Sequence, residues 1–204
     1  MTQFIQSEQE LKALFDDVAP ASLRKETAVI TPHYQKLIEA SPFAMLATSG
    51  SGGLDASPRG DAPGFVQVQD RHTLLLPERR GNNRIDGLRN LIEDPRVALL
   101  FLIPGLGETL RVNGKARISV QPELLERFAV EGKPPKCVLV IHVEAAFFQC
   151  ARAILRSGLW DAKRWPDVST LPSPGKILAA LTDNEIDGGK YDDELPARQR
   201  STLY

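Results

Sequence analysis

The chain has 204 residues and a net charge of −1, from 25 basic and 26 acidic side chains. That balance gives no global attraction to nucleic acid, and no apolar run approaches the ~20 residues that a membrane-spanning helix needs. The length buries a substantial core without disulfides or metals, and the amino terminus lacks a signal-peptide pattern, so a cytoplasmic protein is expected. Cys137 and Cys150 stand apart without metal-ligand spacing and read as ordinary buried thiols.

The first predicted helix is capped by Ser7 and places Leu11, Leu14 and Phe15 on one face. A second follows Thr31-Pro32, with proline in its first turn, and carries Tyr34, Leu37 and Ile38. From there the pattern changes. Residues 43–48, 54–57, 64–68, 73–76, 97–103, 109–120 and 137–143 read as strands, joined by short segments rich in Gly, Ser, Asp and Pro. Residues 109–120 alternate well, with Leu110, Val112 and Ile118 on one face. Pro122 opens a short helix, residues 147–155 look helical, and one amphipathic turn spans 176–181. The last residues, Asp192 to Arg200, look like an exposed or partner-bound tail. Successive strands with brief connections imply a mainly β, α+β fold built on an antiparallel barrel. The expected division is a helical segment over 1–40, a barrel over 41–160 and a partly helical extension over 161–204, without internal repeats.

Residues 77–95 carry the sharpest chemical signal. Arg79, Arg80 and Arg84 cluster with Asn82 and Asn83 around Gly81, where the run Leu74–Leu76 gives way to a helix. Ile85, Leu88, Leu91 and Ile92 recur at helical spacing, Pro95 closes the helix, and Asn82 or Asn83 is the expected cap. Free amides and the positive dipole end favour an anion there, and arginine forks suit phosphate. No GxGxxG or GxxxxGK[ST] motif occurs, so the segment reads as a phosphate site of another kind.

Taken together, Ser57-Pro58-Arg59-Gly60-Asp61, Pro63-Gly64-Phe65-Val66, the arginine-asparagine segment, Asp94-Pro95-Arg96-Val97 to Phe101, and Glu108 to Ala116 resemble the pyridoxamine 5′-phosphate oxidase-like flavoproteins. The resemblance spans residues 40–160 and is nearest to a branch carrying Ser-Pro-Arg-Gly-Asp and Gly-Asn-Asn-Arg. It implies a split β-barrel homodimer with FMN at the subunit interface. Ser57 and Arg59 would then face the phosphate or ribityl region, and Arg79 or Arg80 with Asn82, Asn83 and Arg84 would complete the phosphate cradle. Thr109 stands where the family's oxidases carry glutamine near the flavin ring. Arg156-Ser157-Gly158-Leu159-Trp160 resembles the branch's carboxyl-side signature, so Arg156 and Trp160 would contribute to the flavin pocket. The vitamin B6 oxidases close with a Trp, Arg and His-bearing segment; here no histidine follows His142, and pyridoxamine phosphate is not assigned as substrate.

The remaining candidates carry less. His33, His72 and His142 read as isolated from one another, with His142 a packed residue and not a haem or metal ligand. Asp55 and Asp61 either orient Arg59 or shape the turn, the latter preferred. No Ser-His-Asp or Cys-His arrangement is legible, which argues against a hydrolase, and no side chain is nominated as catalytic. The expected function is an FMN-dependent oxidoreductase of unassigned substrate. The alternatives are a non-enzymatic flavin-binding, storage or sensor protein, or haem or deazaflavin handling on the same barrel.

Overall fold

A computed structural model describes residues 4–204; the first three positions of the amino-terminal segment lie outside the described residues. Three short helices come first: α1 (Glu8–Lys12), α2 (Pro20–Arg24) and α3 (Pro32–Ala40). Ser7 caps α1 as expected, its Oγ accepting from the Glu10 amide at 3.2 Å. Thr31 caps α3 by accepting from the Tyr34 amide at 3.2 Å, with Pro32 in the first turn. Only α3 reaches the core, through Tyr34 and Ile38. Leu11, Leu14 and Phe15 form no buried face: all three are exposed, because α1 spans little more than one turn and buries nothing.

The barrel comprises β1 (Phe43–Gly50), β2 (Gly53–Gly60), β3 (Gln67–Asp70), β4 (Thr73–Glu78), β5 (Arg96–Leu102), β6 (Thr109–Ser119) and β7 (Cys137–Gln149). Helix α4 (Asp86–Glu93) lies between β4 and β5, and α5 (Pro122–Arg127) between β6 and β7. The strands form one seven-stranded antiparallel sheet in the order β2-β1-β5-β6-β7-β4-β3, as the split-barrel reading requires. Alternation explains the core. Ala44, Leu46, Leu99, Phe101, Leu110, Val112, Leu139 and Ile141 face inward and are almost wholly buried. Each such leucine, valine, isoleucine or phenylalanine contributes about 1.5–3 kcal/mol. Leu91 of α4 joins the same cluster, while Leu75 and Val138, on the other sheet face, pack with Phe128 beyond α5.

Two expectations about elements change. Of 64–68, only Gln67 and Val68 are in a strand; Phe65 and Val66 instead fill the core as an irregular segment. The stretch read as a helix from 147 remains strand through Gln149, because Phe147 and Phe148 continue to pair with Arg111 and Leu110 of the long β6. The helix that follows, α6, is Arg152–Ser157. A bulge after Asn113 shifts the β6–β7 register, and Gly114 is required there because a Cβ would lie 2.1 Å from the His142 carbonyl oxygen.

The carboxyl end is helical: the residues expected as an exposed tail lie in the last helix and are mostly exposed, with none buried. Short 3-10 turns at Ala162–Arg164 and Val168–Thr170 lead to α7 (Pro174–Leu181) and α8 (Gly188–Ser201). Gly175 and Gly188 let the two helices touch backbone to backbone, and Asp192 accepts from the Gly175 amide at 2.7 Å. The chain then returns to the barrel through Tyr204.

Candidate functional site

Antiparallel register determines which side chains β2 offers. Arg59, Ser57 and Asp55 sit opposite Ala44, Leu46 and Thr48, so all three project from the inward face of an edge strand. They form a hydrogen-bonded file. Arg59 Nη1 donates to Ser57 Oγ at 2.8 Å, and Ser57 Oγ donates to Asp55 Oδ2 at 3.0 Å. Arg59 Nε donates to Glu78 Oε1 at 2.6 Å, reaching across to the end of β4. One step further along, Arg79 Nε donates to Asp61 Oδ2 at 2.8 Å. Two ion pairs of opposite polarity therefore join these strand ends, with every side chain at most 17% exposed.

Asp61 thus orients Arg79, not Arg59, and Asp55 acts on Arg59 through Ser57. Tyr204 also donates its hydroxyl to Asp61, at 2.6 Å. Burial works against the Asp61 charge, but the bonds from Tyr204, the Ala62 amide and Arg79 prevail and hold its pKa below the ordinary carboxylate range. Arg79 further donates to the Phe128 carbonyl at 2.6 Å, and its guanidinium lies 5.5 Å from the Tyr204 ring centre.

The loop from Arg79 to Ile85 continues directly into α4. Neither asparagine caps the helix. Asn82 Oδ1 accepts from the Arg84 amide at 3.1 Å, while Asn83 takes a left-handed φ of 59°. Ile85 holds the cap position at φ 52° with no side-chain bond to the first turn, so it stands outside the helix it was expected to join. A β-branched residue in that region is strained, and such strain persists only where the surroundings impose it. The first-turn amides of α4 are left without a capping side chain. Around them Arg80, Asn82, Asn83 and Arg84 are exposed, with Arg84 Nε 2.8 Å from Asp86 Oδ2. Gly87 brings this helix start onto the arginine file, since a Cβ there would lie 2.8 Å from Asp55 Oδ2. The structure thereby joins Ser57, Arg59, Arg79 and the 80–84 loop in one region, and its donors fit a phosphate group at the helix start.

Thr109, Arg156 and Trp160 lie apart from that group. Phe101 and Leu110 face inward, so Thr109 projects from the outer face, at the same end of the sheet as Arg59 but on the opposite side. Its Oγ1 is 3.4 Å from Gln149 Oε1. Trp160 is half-buried, and its indole N–H donates to the Leu106 carbonyl at 2.8 Å, fastening the segment after α6 to the loop before β6. Arg156 is exposed, and its carbonyl accepts from Arg164. Two further residues of the outer face escaped the sequence reading: Arg111 Nε and Asn113 Oδ1 are buried without a hydrogen-bond partner among the described residues. Glu78 and Tyr204 were missed as well. Glu78 had a signal, a carboxylate directly before two arginines at a strand end; Tyr204 had none, being 143 positions from its acceptor.

The other candidates separate clearly. His72 and His142 are not isolated: their rings stack 15° from parallel with centres 6.0 Å apart, both exposed, because β7 pairs with β4 there. Cys150 is exposed and not buried as expected, since it follows the end of β7. Cys137 is buried, and burial together with the Glu78 charge pushes its thiol up to about 11. No group of three metal-ligating side chains and no helix long and apolar enough to cross a membrane occurs among the described residues.

A sequence-family model described as Pyridoxamine 5'-phosphate oxidase matches residues 30–150, more than half of the chain. The chain belongs to the pyridoxamine 5′-phosphate oxidase family. No curated protein matches it in sequence. Solved structures similar to this family member include HupZ of Group A Streptococcus, at 24% identity and a TM-score of 0.48, over 59% of this chain and 94% of that one. A protein of Clostridium acetobutylicum related to general stress protein 26 is 15% identical with a TM-score of 0.44, over 58% of this chain and 86% of the other. A FAD-binding protein of Mesorhizobium loti is 17% identical with a TM-score of 0.38, over 55% and 88%.

Proposed function

We propose that this family member is a cytoplasmic FMN-dependent oxidoreductase, acting as a homodimer with FMN at the subunit interface. The observation that carries the reading is the uncapped start of α4, set in a strained loop whose Arg80, Arg84, Asn82 and Asn83 face solvent. A phosphate there would be met by first-turn amides, by the positive end of the helix and by Arg80 and Arg84. Arg59 and Arg79 would support that cradle from behind, their Nε groups being committed to Glu78 and Asp61.

Sheet geometry supports the dimer. Within one chain Ser57 and Arg59 project inward from β2 while Thr109 projects outward from β6, so a flavin touching both kinds of residue takes them from two subunits. The outer faces of β1 and β5 also present Met45, Ala47, Ala98 and Leu100, all partly exposed, where a solvated sheet would be polar. When bound, FMN supplies the electron chemistry. The protein's residues anchor the phosphate, orient the ring and control access, and the substrate is left open.

Titration with FMN, FAD and riboflavin tests this reading. Phosphate recognition predicts tight FMN and weak riboflavin, with Arg84→Ala weakening FMN about tenfold or more and riboflavin little. Equal weakening of both would remove Arg84 from the phosphate site, and preference for FAD would reassign the cofactor. A haem-type absorption spectrum in the purified protein would overturn the flavin. Turnover with a reduced nicotinamide and an acceptor separates an enzyme from a flavin-storage protein. Light scattering showing a monomer that still holds flavin tightly would overturn the interface.

A further inference from the structure

The carboxyl-terminal helices do more than close the chain. Helices α7 and α8 form a hairpin tied by Gly175 and Asp192, and the hairpin ends in a specific contact: the Tyr204 hydroxyl donates to Asp61 Oδ1 at 2.6 Å. Asp61 is the last residue of the Ser-Pro-Arg-Gly-Asp motif, and its side chain is 5% exposed. Its other oxygen holds Arg79, whose guanidinium is also held by the Phe128 carbonyl and lies over the Tyr204 ring. Arg79 is the first residue of the loop that carries the left-handed Asn83 and Ile85 into α4. A loop that holds the β-branched Ile85 in a left-handed conformation needs fixed ends, and Arg79 is one of them.

We propose that Tyr204 is a positioning residue for the phosphate loop: docking of the α7–α8 strap through Tyr204 and Asp61 fixes Arg79, and so orders residues 80–85 and the start of α4. Coupling of this kind is reciprocal, so an anion bound at the loop favours the docked strap as much as the docked strap favours the anion. The strap contributes no group to the anion itself. This inference rests on the flavin-phosphate reading for its ligand, but its structural half does not.

Hydrogen–deuterium exchange on the full chain, without ligand, tests the structural half. Tyr204→Phe removes one hydroxyl and keeps the ring over Arg79, so the fold survives. Amides in 79–93 should then exchange about fivefold faster, with the rest of the barrel unchanged, and Asp61→Asn should act in the same direction. Unaltered exchange over 79–93 overturns the proposal. Titration tests the other half. Tyr204→Phe should weaken FMN about fivefold and riboflavin much less, and FMN should slow exchange in α8 of the unaltered chain. Equal loss of both ligands, or no protection of α8 at saturating FMN, also overturns it. If neither flavin binds either protein, the flavin reading fails, and the ligand-free exchange still decides the coupling.

Discussion

Arg59 and Glu78 meet at 2.6 Å across a gap that no backbone ladder bridges, because β2 and β4 are not neighbours in the sheet. The barrel is therefore held shut at this point by side chains. Both partners are largely shielded, at 16% and 12% exposure, so removing one strands a charge that has already left water. Glu78→Gln should lower unfolding free energy by about 2–3 kcal/mol, read as a shifted urea midpoint at unchanged slope. Replacing both partners with apolar residues of similar volume should recover much of that loss. An unchanged midpoint in Glu78→Gln would mean that the core alone closes the barrel.

The strands were legible because their signal is local. Alternation in Thr109–Ser119 and the apolar runs of β4 and β5 can be read from neighbours two residues apart. Ala145 and Ala146 interrupted that reading, since small residues at the bulge break the alternation and suit a helix equally well. The phosphate loop was recognisable as a basic turn before a helix, but its cap was not. Asn82 bonds to a loop amide, and Ile85 takes the cap position in a conformation that its side chain disfavours, which only tertiary contacts can impose. The partners of Arg59 and Arg79 were hidden for a related reason. Register decides that Arg59 reaches Glu78 and Arg79 reaches Asp61, and register is a property of pairing, not of either segment.

Trp160 fastens the segment after α6 to the β5–β6 loop through one N–H bond. Trp160→Phe keeps most of the ring packing and leaves the Leu106 carbonyl without its donor, so it should cost about 1 kcal/mol. Trp160→Leu removes ring area as well and should cost about 2–3 kcal/mol. Both are checked by thermal or urea unfolding. If Trp160 also covers the flavin ring, Trp160→Leu should brighten bound-flavin emission; a destabilised protein with unaltered emission would confine the residue to packing.

The two thiols should differ sharply in reactivity. Cys150 is exposed, whereas burial and the neighbouring Glu78 charge hold the Cys137 thiol near 11, so almost none of it is thiolate at pH 8. A disulfide reagent at pH 8 should label one thiol rapidly and the second only on unfolding. Cys150→Ser should abolish the fast phase. Rapid labelling of both thiols in the folded protein would show that the interior around β7 opens readily.

The Tyr204–Asp61 contact should set a pH window of its own. Its hydrogen bonds hold Asp61 below its ordinary pKa, so the stability it contributes is fully present above about pH 4 and is lost as pH falls further. Tyr204 is shifted the other way, first by its bond to Asp61, so its contribution is complete below about pH 10 and is lost as pH rises through the raised value. Comparing the unaltered chain with Tyr204→Phe cancels every other titrating group. The difference in urea midpoint should be constant between about pH 5 and 9, corresponding to about 1 kcal/mol, and should shrink at both ends. On the alkaline side it should change sign, because a phenolate held beside a buried carboxylate repels it, whereas phenylalanine does not. A difference near zero from acid to alkali would mean that Tyr204 is held by its ring over Arg79, with the hydroxyl contributing nothing.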